Sequence, residues 1–495
     1  MKILTSEQIR EVDQYTIKHE PIASVDLMER ASKAFVLKFQ EFIHDKHPLK
    51  IFCGVGNNGG DGLAIGRLLK EKGWEVFLYV VGNPRKGSDD FKANLDRSEL
   101  YAVIDSVKDL PSIGKDDIVI DGLFGSGLSR PLEGFYKTLV EYLNPQACQK
   151  FSIDIASGLY ADRAVEKDAV VFQPDYTFSF QVPKLSFFMP SCYPYVGEWH
   201  LLDIGLDQSF VGKQQTAFFL SEKAEFIPMI PIRQKFAHKN QVGRLMVVAG
   251  SRGKMGAAVL CVRAAFKAGA GLVNACVPTC GTDIMQIAIP EAMVVEPKGT
   301  NEIQSIPKTE DTVVLGPGLG THSRTLDALE KFLKQTKKPL VIDADGINLL
   351  AKRKPLLKLL PPESILTPHP GEFERLVGKW KNDFEKLEKL QHLCRKYKLN
   401  VVLKGAYSSV CNVEGKVHFN PTGNPGLATA GSGDVLTGIV GAFLSQGLSS
   451  SDALRLGVYL HGAAGDQAVR ELETPWIQAS DIIDFLPNAV SALRG

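Results

Sequence analysis

The sequence predicts an α/β protein of two tandem domains, each built on a mainly parallel sheet. Three observations carry this. The chain has 495 residues, which at roughly 100–200 residues per domain calls for more than one hydrophobic core. Short apolar runs alternate with stretches long enough for a helix, the pattern of βαβ units with buried strands. The alternation stops and restarts around residues 222–233, where EKAEFIPMIPIR carries Pro228 and Pro231, so a boundary is expected there, giving domains 1–222 and 223–495.

Taken in order, Thr5 and Gln8 have the spacing of a capping box, and Ala31, Ala34, Phe35, Phe39 and Phe42 follow at helical intervals, so residues 1–40 read as helical. Strands are expected at 51–53, 76–81, 118–120 and 151–153, with a helix starting near Leu63. The second series is expected at 245–249, 313–315, 340–342, 365–366 and 401–403, followed by a hairpin of 410–413 and 417–419 across Glu414-Gly415.

Lys+Arg 57 against Asp+Glu 56 leaves a net charge of +1, so no global field draws the chain to nucleic acid or a membrane, and an anionic ligand needs a local site. The eight cysteines are scattered without a CxxC pair, which favours free thiols in a reducing compartment. The charged N-terminus MKILTSEQIREVD does not read as a signal peptide, and no apolar run is long enough to span a membrane, so a cytoplasmic location is expected.

Three glycine-bearing loops in the first half follow predicted strands. CGVGNNGGDG, residues 53–62, exposes backbone N–H groups ahead of a helix N-terminus, a setting suited to an anion. DGLFGSGL from Asp121 and IDIASG from Ile153 end two further strands in acidic residues. Strand C-terminal ends line the crevice of an open parallel sheet, so the three loops are expected to converge.

These motifs, with LMERA at 27–31, resemble the NAD(P)H-hydrate epimerase domain, which implies a Rossmann-like α/β sandwich. The resemblance implies that Asn57, Asn58, Gly59, Gly60 and Asp61 bind the hydrated dinucleotide. Gly125, Ser126, Gly127, Leu128, Ser129, Arg130 and Pro131 would bind it from a second loop. It further implies a potassium ion on Asn58, Asp121 and Ser157, and Asp154 as both substrate-binding residue and acid/base. Ala156 stands where the family usually has proline. A single carboxylate suffices for the expected chemistry: protonation lets the ring nitrogen expel the C6 hydroxyl as water, and re-addition from the other face inverts C6.

In the second half, GSRGKMGAA after residue 249 is not a Walker loop, because no Gly-Lys-Ser/Thr closes it. GPGLG at 316–320, DAD at 343–345 and TPHPGE at 367–372 follow strands, and His369 lies between two prolines. In NPGLATAGSGDVLTG, from Asn424, the Gly-Ser-Gly-Asp opening of an apolar helix suits a transferring phosphoryl group with a base beside it. With AGAGLV at 268–273 and VLKGA at 402–406, these motifs resemble NAD(P)H-hydrate dehydratase of the ribokinase-like superfamily, implying an α/β/α domain. Lys404, Gly405, Ala406, Tyr407, Ser408 and Gly433 would contact ADP or ATP with Mg2+. Gly318, His369 and Asp434 would contact the hydrate. Gly431, Ser432 and Gly433 would form an anion hole, with Asp434 the catalytic base. HKN at 238–240 departs from the usual HKG.

The resemblance covers nearly the whole chain and implies a cytoplasmic bifunctional metabolite-repair enzyme: R/S epimerisation at C6, then dehydration of the S form through a phosphorylated intermediate. ADP and ATP present the same terminal phosphate to the loop; the fused organisation resembles that of bacterial members, a resemblance that implies ADP, giving AMP and phosphate, over ATP. A homo-oligomer acting on small molecules is expected. A small-alcohol or vitamin kinase in the second half, or a non-catalytic binding module in the first, are the competing readings.

Overall fold

The computed structural model describes residues 1–494; Gly495 and the side chain of Asn240, with the HKN departure it bears on, lie outside the described residues. The chain forms two compact units, one of Lys2–Thr216 with Asn382–Phe384, the other of Met1, Ala217–Lys381 and the chain from Glu385 onward. Both are α/β.

In the first unit, β1 (Leu49–Cys53), β2 (Val76–Val81), β3 (Ala102–Ile104), β4 (Ile118–Gly122), β5 (Gln149–Ile153), β6 (Tyr176–Phe180) and β7 (Glu198–Leu202) form one sheet in the order β3-β2-β1-β4-β5-β6-β7. Every neighbouring pair is parallel. The order reverses at β1, so the loops after β1 and β4 flank the switch-point crevice. Thr5 and Gln8 make the expected reciprocal cap on helix Ser6–His19. Helix Ser24–Phe42 buries Phe35 and Phe39 completely, edge-on to Phe178 at 5.2 Å and Phe151 at 5.0 Å. Such ring pairs contribute about 0.5–1.5 kcal/mol each beyond the area they bury.

The helix expected near Leu63 begins earlier, at Asn57, and runs to Glu71. Gly56 is extended and no side chain caps the helix, so the glycine run is itself the first turn, with its N–H groups left open.

The second sheet comprises β8 (Phe218–Leu220), β9 (Arg244–Val248), β10 (Leu272–Cys276), β11 (Met293–Val295), β12 (Thr312–Leu315), β13 (Leu340–Ile342), β14 (Ile365–Leu366), β15 (Asn400–Leu403), β16 (Ser409–Cys411) and β17 (Val417–Phe419). Their order is β11-β10-β9-β12-β13-β14-β15-β16-β17-β8. The expected hairpin is present as antiparallel β16 and β17. β8 pairs parallel with β17, so the second sheet takes its edge strand from residues the sequence assigned to the first domain. The division therefore lies between Thr216 and Ala217, ahead of the proline-bearing stretch. Helix Ser432–Ser445 is buried over most of its length. Glycine allows this depth: a Cβ at Gly438 would run into the Cys261 carbonyl of helix Met255–Lys267.

Candidate active sites

In the first unit a cavity of about 460 Å³ lies over the switch point, lined by Asn57, Asn58, Asp61, residues 125–130 and Asp154. Of the sequence-predicted residues, Gly59, Gly60 and Pro131 do not line it. The two glycines serve packing: a Cβ at Gly59 would collide with the Gly54 carbonyl, and one at Gly60 would press on Met28. Gly59→Ala is expected to destabilise the first unit by about 1–3 kcal/mol, because backbone must move to admit the methyl. A thermal midpoint equal to wild type contradicts this.

Asp154 adopts a left-handed backbone, φ 65°, which turns its side chain at the end of β5. Its Oδ1 accepts from Lys184 Nζ at 2.6 Å, Phe180 N at 3.1 Å and Ser179 Oγ at 3.3 Å. Lys184 is 1% exposed and also donates to the carbonyls of Phe180 and Val182, each at 3.2 Å, so its three N–H groups are all satisfied. Oδ2 of Asp154 has no partner among the described residues and is available to a ligand.

Asp121 is fully buried and accepts four hydrogen bonds: Ser157 Oγ at 2.6 Å and Leu123 N at 3.1 Å on Oδ1, Ser157 N at 2.8 Å and Ser152 Oγ at 3.3 Å on Oδ2. Burial lifts its pKa to about 6 against the opposing pull of these bonds. It has no ion-pair partner among the described residues. Asn58 Oδ1 sits beside Gly125, and its buried Nδ2 has no partner. Amide, hydroxyl and carboxylate oxygens are the donor types a hard cation takes. Ala156 leaves the turn closed, its carbonyl accepting Leu159 N–H at 3.0 Å.

In the second unit a cavity of about 600 Å³ is lined by Lys404, Gly405, Ala406, Tyr407, Ser408, Ser432 and Gly433. The 420–425 loop, Leu427, Leu436, Val458 and His461 complete it. Lys404 Nζ lies 3.0 Å from Asp343 Oδ1, and Thr437 Oγ1 donates to Asp343 Oδ2 at 2.6 Å. A Cβ at Gly433 would sit 3.2 Å from Lys404 Nζ, so glycine keeps the ammonium close to the helix N-terminus. Gly431 has φ 90° and no side chain caps the helix, leaving first-turn N–H groups for an anion. Asp434 follows in that turn. Burial first, then Asp343, raises its pKa to about 7, with Lys404 opposing.

The three hydrate-binding candidates, Gly318, His369 and Asp434, and Gly431 of the expected anion hole do not line that cavity. Gly318, φ 59°, passes so close to the Lys254 carbonyl that a Cβ would press on it. Lys254 pairs with Asp345 at 3.1 Å, and Asp345 also accepts Gly320 N–H at 2.8 Å. His369 is half-exposed; its Nδ1 accepts Gly371 N–H at 3.0 Å and its Nε2 lies 3.4 Å from Glu372. Glu372 and Asp345 both act electrostatically on Asp434, so these loops and the base face one region.

The sequence profile of the YjeF-related protein N-terminus matches residues 24–186, and that of NAD(P)H-hydrate dehydratase matches 245–488. The bifunctional NAD(P)H-hydrate repair enzyme of Moorella thermoacetica is 34% identical over 525 aligned positions, covering 100% of this chain and 97% of its own. That of Thermofilum pendens is 33% identical, with 100% and 97% covered. The chain belongs to the bifunctional NAD(P)H-hydrate repair enzymes. A ribokinase-like superfamily protein of Enterococcus faecalis superposes with TM-score 0.50 at 26% identity, over 57% of this chain and 99% of that one.

In this repair enzyme several site residues carry no sequence signal. Lys184 lies in an aperiodic segment after β6. Asp13 lies on helix Ser6–His19, ahead of the matched profile. His461 is buried in helix Ser450–Glu471 with Nε2 2.9 Å from the Ser432 carbonyl, and burial lowers its pKa to about 4. It holds the turn that carries Gly433. Gly462, on that helix, lets Thr422 approach where a Cβ would collide. Asp466 then fixes the loop, accepting Gly423 N–H at 2.9 Å and Asn424 Nδ2 at 2.8 Å. A histidine and glycines at helical spacing were the available clues.

Proposed function

We propose that the first domain epimerises R and S hydrates of NADH and NADPH at C6, and that the second dehydrates the S hydrate at the expense of an adenine nucleotide. The observation that carries this reading is that each unit holds a cavity with a carboxylate at hand: Asp154 lines the first, and Asp434 follows directly on Ser432 and Gly433, which line the second.

In the first domain Asp154, oriented by Lys184, exchanges a proton with the C6 oxygen while the ring nitrogen lone pair expels water and later accepts its return. Asn58, Asp121 and Ser157 would hold K+, whose charge would offset the buried Asp121 carboxylate. In the second domain Asp434 takes the C6 hydroxyl proton as that oxygen attacks the terminal phosphorus. Gly431, Ser432 and Gly433 meet the developing charge with backbone N–H groups. Lys404, Gly405, Ala406, Tyr407 and Ser408 hold the nucleotide, and Mg2+ bound with it would neutralise phosphate charge. The ring nitrogen then expels phosphate, and loss of a C5 proton restores the dihydropyridine. Gly318 and His369 border the hydrate. ADP is the favoured donor, giving AMP and phosphate, and the chain acts as a cytoplasmic homo-oligomer.

Stoichiometry tests this against a kinase: one inorganic phosphate and one AMP per NADH formed support it, whereas a stable phosphorylated hydrate without NADH overturns it. The base also sets a pH dependence. Asp434 must be ionised, and its raised pKa puts that ionisation near pH 7 in the free enzyme. Thus kcat/KM for dehydration is expected to rise with pH to a plateau above about 7. The stability sign is opposite: the folded state holds the extra proton, so stability falls as pH rises from the unfolded carboxylate range through about 7. Asp434→Asn is therefore expected to melt higher than wild type at pH 8, with the gap closing toward pH 4. A rate that is flat with pH, or a gap that widens on acidification, contradicts the assignment.

A further inference from the structure

The sequence leads to the expectation of a single carboxylate, but inverting C6 by loss and return of water imposes a geometric demand that one carboxylate on a fixed ring does not meet. The hydroxyl leaves from one face of the ring and water returns to the other, so protons must be given and taken on both faces. A single side chain on a fixed ring reaches only one.

Two separate elements bring carboxylates to the first-domain cavity. Asp154 reaches it from the end of β5, alongside the loops after β1 and β4. Helix Ser6–His19 adds Ser6, Ile9, Arg10 and Asp13, positions on one helical face. The Asp13 carboxylate has no hydrogen-bond or ion-pair partner among the described residues. Asp61, 9% exposed and lining the same cavity, has no side-chain partner either. The charged groups around Asp13 are Asp61, Asp154, Lys184 and Arg10, with Asp90 acting on Asp61. Lys184 is paired with Asp154 at 2.6 Å and offsets the Asp13 charge only in part.

We propose that Asp13 is the second acid–base catalytic residue of the epimerase domain, serving the ring face opposite the one served by Asp154. This rests on the epimerase reading above. Burial and the Asp154 charge raise the Asp13 pKa to about 7, which suits a proton donor at neutral pH. In one direction protonated Asp13 gives its proton to the C6 oxygen, the C6–O bond breaks and water departs. The ring nitrogen lone pair forms the N1=C6 bond. A water on the Asp154 face then bonds to C6, its proton passes to Asp154, and the π pair returns to nitrogen. Asp13 ends ionised and Asp154 protonated, the form that processes the other epimer. No oxidant or co-reactant is consumed.

The test is to follow resolved R and S hydrates of NADH with the full chain in heavy-oxygen water without nucleotide, measuring initial rates of inversion and of oxygen exchange. Wild type is expected to invert and exchange both epimers. In Asp13→Asn, inversion is expected to fall roughly 10²–10⁴-fold, while the epimer whose hydroxyl faces Asp154 still exchanges oxygen with retention, within about tenfold of wild type. Asp13→Glu, which restores a carboxylate, is expected to recover part of the inversion. Inversion by Asp13→Asn within threefold of wild type overturns the proposal. Parallel loss of inversion and exchange in Asp13→Asn and Asp13→Ser alike also overturns it and gives Asp13 a structural role. A wild-type chain that inverts neither epimer overturns the epimerase reading itself.

Discussion

Asp434→Ala is expected to lower nucleotide-driven recovery of NADH by roughly 10²–10⁴-fold, the range for removing a positioned base. The carboxylate stands in the first turn of helix Ser432–Ser445, where burial and Asp343 raise its pKa, and it supports no core packing. Its removal relieves charge crowding around Asp343, Asp345 and Glu372, so the fold is expected to persist and the thermal midpoint to hold or rise. Nucleotide binding is expected to survive, because Lys404 and residues 405–408 line the cavity independently of Asp434. The measurement is NADH absorbance recovery from the S hydrate, with nucleotide affinity read separately. Turnover within a few-fold of wild type removes Asp434 from the chemistry.

Asp154→Asn is expected to block the first reaction while leaving the second intact. Asparagine tolerates the left-handed backbone at this position, so the loop is retained. The pair is less forgiving: the substitution strips the counter-charge from Lys184, which is 1% exposed. Breaking a buried ion pair from one side costs about 3–5 kcal/mol, so the variant is expected to melt early. Asp154→Asn combined with Lys184→Met removes the stranded charge and is expected to recover much of the lost thermal midpoint without recovering epimerisation. Both variants should dehydrate the S hydrate normally and stall on the R hydrate at initial rates, with second-domain activity in excess. Conversion of resolved R hydrate at the wild-type rate by either variant assigns the proton transfer to another group.

The legibility of this chain follows the reach of its signals. Runs such as VFLYVV at 76–81 and LVI at 340–342 announce strands, and β1, β2, β4, β5, β9 and β12–β17 lie where the alternation and the hairpin signal place them within a residue or two. β6 and β7, YTFSF and EWHLL, are not uniform apolar runs. β3, β8 and β11 are three-residue edge or near-edge strands whose pairing is decided by tertiary contact. The site divides in the same way. Gly-rich loops on strand ends are local, so the resemblance could name Asn57, Asn58, Asp61, residues 125–130 and 404–408, and these residues line the two cavities. Asp13 and Lys184 enter the first site through packing. A buried lysine is intelligible only once its partner Asp154 is in view, and Asp13 matters only because its helix closes the cavity. Gly59 and Gly60 mislead for the opposite reason: the loop needs them for close backbone packing, and a motif does not separate that need from ligand contact.

The central claim is that one chain supplies both reactions. The most direct measurement mixes the purified full chain with R/S-hydrated NADH and follows absorbance at the NADH band with ADP, with ATP and with neither. The account predicts full recovery of both epimers with nucleotide, faster with ADP, and none without it. No recovery with either nucleotide contradicts it.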